Sequence, residues 1–234
     1  MTTEQPDIFG VIQGAVEDAW PLMRSRMTVY WILAAVCALV VLATLWYLNT
    51  LDASTQMGAR IEAAIQPVDL CGAIASFFII PAAARTVRPE FKLTFLLILG
   101  LVGIGLVVGI ATEIGLFLLI VPGVWVGVKL SQSTWTYLLS DGKNPFGESW
   151  EMTTGHFWET FGFFFLLTIA VVVAMIVVLG IPIFIELFAP LAGVVLGPIA
   201  FLGYVFTYHV TILGQMRWML ELRRIAEGRP QVSA

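Results

Sequence analysis

The chain has 234 residues, of which 59% are hydrophobic and only 12% charged, with a formal net charge of −4. Soluble domains carry about 25% charged residues, so this composition excludes a soluble globular protein. Several apolar runs reach the roughly 20 residues that cross a hydrocarbon core, which identifies a polytopic membrane protein with no length left for a separate soluble domain.

Between Asp7 and Arg26 the residues Ile8, Ile12, Ala15, Ala19 and Met23 recur at helical spacing, with Phe9, Val16 and Trp20 widening the stripe. Gln13, Gly14, Glu17, Asp18 and Arg24 take the other side, which predicts an amphipathic helix within residues 1–27, lying on the membrane surface. Pro21 is expected to kink or end it near Trp20. The first apolar run begins near Thr28, is too long for a signal sequence and lacks a small-x-small site after it, which predicts no cleaved leader.

Six spans are expected, near 28–50, 67–85, 92–112, 114–139, 160–185 and 190–216, making residues 28–216 an all-α transmembrane bundle. A second surface helix, 144–156, belongs to it, capped by Asn144 with Pro145 at the first helical position and ended by Gly155. Phe146, Trp150, Thr153 and Phe157 form its predicted membrane-facing stripe. Residues 217–234 read as a basic cytoplasmic tail whose first part continues the last span as a helix. Arg24, Arg26, Arg85, Arg88, Lys92, Lys129, Lys143, Arg217, Arg223, Arg224 and Arg229 fall on one side, with Arg60 alone on the other. The positive-inside rule therefore places both termini in the cytoplasm and both surface helices on that side. Asp52, Glu62, Glu113 and Glu186 are assigned to short outer loops, with Asp69 close by. Trp31, Trp46, Trp150, Trp158 and Trp218 fall near predicted interfaces, as an aromatic belt does.

Within the spans Gly105 and Gly109, Gly123 and Gly127, and Gly193 and Gly197 each form a GxxxG, the spacing that lets two helix backbones approach closely. Their packing is within the chain or with another molecule. Pro81, Pro122, Pro182 and Pro198 interrupt four spans, and Pro122-Gly123 reads as a helix break. Setting residues 15–35 against 145–165 aligns Trp20 with Trp150 and leads an amphipathic helix into a span in both cases, the outline of an internal duplication.

Ionisable groups at membrane depth are costly and mark function by default. Lys129 heads a polar face continued by Gln132, Ser133 and Thr136. That face is either the lining of a path or lipid-headgroup site, or a snorkelling lysine beside a hydrogen-bonded helix interface. His209 lies beside Tyr204 and Tyr208; pigment or haem ligation and proton relay stand against a hydrogen-bonded packing role, and no second ligand has a recognisable spacing. Cys37 and Cys71 read as small buried hydrophobes, and His156 with Glu159 lacks the further ligands of a metal site. HExxH, GxSxG and P-loop patterns are absent, so no catalytic residue, cofactor or metal is expected.

The runs Val121-Pro-Gly-Val-Trp-Val-Gly-Val-Lys-Leu-Ser, Asp141-Gly-Lys-Asn-Pro-Phe and Ser149-Trp-Glu-Met-Thr-Thr-Gly-His-Phe-Trp resemble a prokaryotic six-span membrane protein family of unknown function. That family is related to the membrane domain of glycerophosphoryl diester phosphodiesterases. The resemblance implies a helical bundle in a prokaryotic cytoplasmic (inner) membrane, with a basic residue usual where Lys129 stands. It implies no phosphodiesterase activity, because catalysis in those enzymes belongs to a separate soluble domain. The expected function is that of a non-enzymatic accessory, scaffold or assembly subunit, packing against lipids of the bilayer and a membrane-protein partner or further copies of itself, with no nucleic acid. The alternative is a small transporter or lipid-handling protein that uses the Pro122-Gly123 break and the Lys129 stripe; an intramembrane enzyme ranks third.

Overall fold

The computed structural model describes residues 5–49, 74–75, 77–118, 120–139, 144–180 and 190–228, and all regular structure among them is helical. In chain order these are α1 (Ile8–Arg24), α2 (Met27–Asn49), α3 (Phe77–Val87), α4 (Phe95–Leu118), α5 (Ile120–Leu130), α6 (Ser133–Leu139), α7 (Pro145–Thr153), α8 (Phe157–Met175, ending in a π turn over Ile176–Gly180) and α9 (Pro190–Ala226). The predicted outer loop 51–66, the start of the second span with Asp69 and Cys71, the turn around Lys143, and Pro182 with Glu186 lie outside the described residues.

Among the described residues three helical stretches are long and apolar enough to cross a membrane: Phe95–Gly115, Phe157–Val178 and Pro198–Ala226. A fourth is counted if α1 and the start of α2, which meet at 79°, cross as one bent span. The chain forms two compact units. One comprises Met1–Val16, Pro81–Thr168 and Ile212–Ala234; the other comprises Glu17–Ile80 and Ile169–Thr211.

The α1 helix starts where Asp7 Oδ1 accepts from the Gly10 N–H at 2.9 Å, an N-cap that satisfies one of the first-turn donors. Its buried face is narrower than the predicted stripe: Val11, Ala15, Ala19 and Met23, one every four residues, are buried, whereas Phe9, Val16 and Trp20 are exposed. Those three follow a second line around the helix, on which Trp20 meets Phe206 edge to face at 6.5 Å while staying half exposed. Pro21 does not end the helix, which runs on to Arg24. The hydrogen bond that Pro21 forfeits would have gone to the Glu17 carbonyl, and both residues are exposed, so water can replace it. The chain turns instead at Ser25–Arg26.

Predicted spans three and four are divided elsewhere than expected. No break falls at residue 113: α4 continues through Glu113, which is an exposed helical residue, to Leu118. Then α5 folds back antiparallel along it. Gly115 lies against the Gly123 backbone, Gly127 against the Thr112 side chain, 3.3 Å from where a Cβ would sit, and Gly100 against Tyr137. These pairs share one register, centred near residue 119, and the glycines allow the close approach. Pro122 is therefore the third residue of α5, in the first turn, where a missing N–H costs no intrahelical bond. Its ring would collide with the carbonyl four residues back, at Leu118, where α4 ends. The break predicted at Pro122-Gly123 thus precedes them.

At the other end, α9 runs unbroken through Pro198 and through Arg217 to Ala226; Gly193 and Gly197 fall in its first part. The segment predicted as a basic tail is packed helix up to that point, with Trp218, Met219 and Leu222 buried. Its charges are largely matched along the helix: Arg224 pairs with Glu221 at 2.9 Å and Arg223 with Glu227 at 3.2 Å. Trp218 is no interface residue either. It is fully buried, stacks on Phe163 with ring centres 4.7 Å apart and donates its indole N–H to Thr160 Oγ1 at 3.3 Å.

The alignment of residues 15–35 with 145–165 matches a shared inward face. Ala19 and Ser149, Met23 and Thr153, and Tyr30 and Thr160 are all buried, while Trp20 and Trp150 are exposed. Tyr30 and Thr160 each hydrogen-bond a side chain of α9, His209 and Trp218 respectively.

A hydroxyl-bridged helix break at Lys129

The helix that begins at Ile120 stops at Leu130, turns over Ser131–Gln132 and restarts at Ser133. Neither proline nor glycine stands at this turn. A broken helix leaves carbonyls at the first half's end and N–H groups at the second half's start without partners, and α7 supplies them. Ser149 Oγ donates to the Lys129 carbonyl at 2.7 Å and accepts from the Gln132 N–H at 3.2 Å. One hydroxyl thus bridges the gap, as an inserted side chain does in a kinked helix. Thr153, one turn later on the same face of α7, donates to the Ser149 carbonyl at 2.8 Å and lies 3.5 Å from the Lys129 carbonyl. The Thr136 hydroxyl lies 2.9 Å from both the Ser133 and the Pro145 carbonyls, tying α6 to the first turn of α7. At the far end of α6, Arg88 Nη1 reaches the Leu138 carbonyl at 3.5 Å.

α7 is built locally to present these groups. Asn144 Oδ1 accepts from the Gly147 N–H at 3.1 Å and Pro145 fills the first helical position. Beyond its last turn Gly155 adopts φ +93°, a backbone conformation open to glycine, which turns the chain into α8. The predicted membrane-facing stripe of this helix is corrected in one member: Thr153 is fully buried against the break, because its hydroxyl has carbonyls to bond there.

Among the described residues Lys129 is the one buried side chain with a full charge, 5% exposed. Its ammonium donates to Thr154 Oγ1 at 2.9 Å, and Thr154 caps the C-terminal end of α7. That end carries partial negative charge, which favours a cation there. Lys129 Nζ also lies 5.9 Å from the ring centre of Trp125 and 5.6 Å from that of Trp150, within the range of a cation–π contact. The two rings meet edge to face at 4.7 Å. No carboxylate pairs with this ammonium among the described residues. Beside it, Gln132 and Ser133 are fully buried, and Gln132 Oε1 and Ser133 Oγ have no hydrogen-bond partner among the described residues; His156 Nδ1 is likewise buried and unpartnered. Leaving such a group unpaired costs about 1–3 kcal/mol, so the break carries more polar capacity than its own packing uses.

His209 stands in a different setting, in the other unit. Its Nδ1 lies 2.8 Å from the Val205 carbonyl and its Nε2 3.1 Å from the Tyr30 hydroxyl. A carbonyl only accepts, so Nδ1 carries the proton and Nε2 accepts from Tyr30. Both nitrogens are occupied and the ring is fully buried, which leaves no nitrogen for a pigment or haem iron and no surface for lipid. Among the described residues no group of three or more His, Cys, Asp or Glu could hold a metal ion.

The structure brings Lys129, Gln132, Ser133 and Thr136 together on one break, while His209 belongs to the other compact unit. Sequence reasoning missed Ser149, Thr154 and Trp125 as members of the cluster. Their signal was present in Ser149-x-x-x-Thr153, hydroxyls one turn apart on a short helix, but nothing local pairs that helix with a break some twenty residues earlier. No family model matches the chain, and neither the curated proteins nor the solved structures searched contain a match.

Proposed function

We propose that the chain is a six-span integral protein of a prokaryotic cytoplasmic membrane, with both termini cytoplasmic, acting without catalysis as an accessory, scaffold or assembly subunit. The observation that carries this reading is the contrast among the glycines of the α4–α5 hairpin. Gly115, Gly123 and Gly127 are used within it, whereas a Cβ added at Gly103, Gly105 or Gly109 on α4 would meet nothing within 4 Å among the described residues. In an apolar 18-residue window of Phe95–Gly115 only 6% is buried, against 44% in that of Pro198–Ala226. A glycine facing lipid offers little apolar surface; its use in a membrane is to let another helix approach. The partner is another membrane protein or a further copy of this chain, and the family resemblance in residues 115–165 agrees with a membrane role. The test is affinity purification of wild type and Gly105→Leu/Gly109→Leu from native membranes. The substituted protein is expected to fold, because the space is open, and to lose a stoichiometric partner. A partner-free, monomeric wild type would overturn the reading.

A second reading, lipid handling, is favoured by the Lys129 ammonium, which pairs with no carboxylate among the described residues. It now centres on the Ser131–Gln132 break and no longer on Pro122-Gly123. Lipid co-purification or substrate flux unchanged in Lys129→Ala would count against it.

A further inference from the structure

An ammonium has three N–H donors. At Lys129 Thr154 takes one; the other two have no acceptor among the described residues, and the rings of Trp125 and Trp150 lie 5.9 and 5.6 Å from the ammonium. The indole N–H groups of those tryptophans have no hydrogen-bond partner among the described residues, in contrast to Trp218. Every member of the rim is exposed: Trp125 by 41%, Trp150 by 38%, and Thr154 as well. Positive charge and spare donors therefore collect directly beneath an accessible surface, with no acidic side chain among the described residues paired to the ammonium. Arg223 and Arg224, by comparison, are paired with glutamates. Carboxylates and phosphates both match surplus donors; the Thr154 hydroxyl already donates to the Trp150 carbonyl at 2.6 Å, so the spare donors are those of the ammonium and the two indoles, a set that suits a tetrahedral anion with several acceptor oxygens.

We propose that Lys129, framed by Trp125, Trp150 and Thr154, binds a phosphate group, supplied by a phospholipid headgroup or as free phosphate. Phosphate oxygens take the two unused ammonium donors, and indole donors lie at the rim. This rests on the lipid-handling reading and names its ligand, whereas partner binding through α4 is independent of it.

The experiment uses full-length protein, delipidated in neutral detergent, with tryptophan fluorescence as the readout. It is titrated with phosphatidylglycerol in mixed micelles, with diacylglycerol of the same chains as the phosphate-free control, and with inorganic phosphate. Saturable change with phosphatidylglycerol but not diacylglycerol is expected. A response to phosphatidylglycerol alone assigns a lipid source, and a response to inorganic phosphate as well assigns phosphate from either source. Equal responses to both lipids, or none to any of the three probes, overturn the proposal. Lys129→Met is expected to weaken phosphatidylglycerol binding about ten- to a hundredfold, and Lys129→Arg to restore it. An unchanged affinity in a folded Lys129→Met also overturns it. The wild-type comparison of the two lipids stands even if that variant does not fold. Phosphatidylglycerol binding that fails while α4 substitutions still release a partner would remove the phosphate site and leave the accessory-subunit reading intact.

Discussion

His209 and Lys129 are the two buried basic side chains among the described residues, and they are completed in opposite ways. The His209 node is closed. Ring, phenol and backbone carbonyl match donor to acceptor with nothing left over. The Lys129 node is open: its backbone is well bridged by Ser149, yet among the described residues its ammonium keeps spare donors and Gln132 Oε1 and Ser133 Oγ have no partner. A closed node is explained by packing, because buried polar groups must be paired. An open one is a poor solution to packing, so its residues answer to something besides stability.

Substitutions that separate the two nodes sharpen this contrast. The largest effect is expected of His209→Ala, which leaves a cavity and orphans the Tyr30 hydroxyl. About 3 kcal/mol should be lost in reversible unfolding from detergent micelles. Ser149→Ala comes next, at about 2 kcal/mol, because one hydroxyl serves both the Lys129 carbonyl and the Gln132 N–H; Ser149→Thr should restore part of it. Tyr30→Phe keeps the ring and removes one bond, and should cost about 1 kcal/mol by the same measurement. A Ser149→Ala protein as stable as wild type would mean that the break is held by other contacts.

The helical class and the membrane character were legible from composition and run length. So were the ends of α7, since Asn144-Pro145 and Gly155 act on their own immediate backbone. Three things were not. Pro122 displaces the break because its ring acts four residues upstream, at Leu118, so the sequence marks the cause and not the place. Gly105/Gly109 and Gly123/Gly127 have identical spacing and opposite surroundings, because spacing says that a helix can be approached and not by what. The turn at Ser131–Gln132 carries no breaking residue at all. It exists because Ser149, distant in sequence, offers a hydroxyl that replaces a lost backbone bond. Thr153 was assigned to the membrane face for the same reason: its carbonyl partners lie on elements that local periodicity cannot see.

The smallest expected effect tests the contrast most directly. Lys129→Met keeps the length and apolar bulk of the side chain and removes only its charge and donors, and replacing a buried ionic group by an apolar one of similar volume is often close to neutral. If the Lys129 node is open, the unfolding free energy of Lys129→Met in detergent micelles should stay within about 1 kcal/mol of wild type. A loss as large as that of His209→Ala would show the ammonium to be a structural group of the fold and would contradict the distinction between the two nodes.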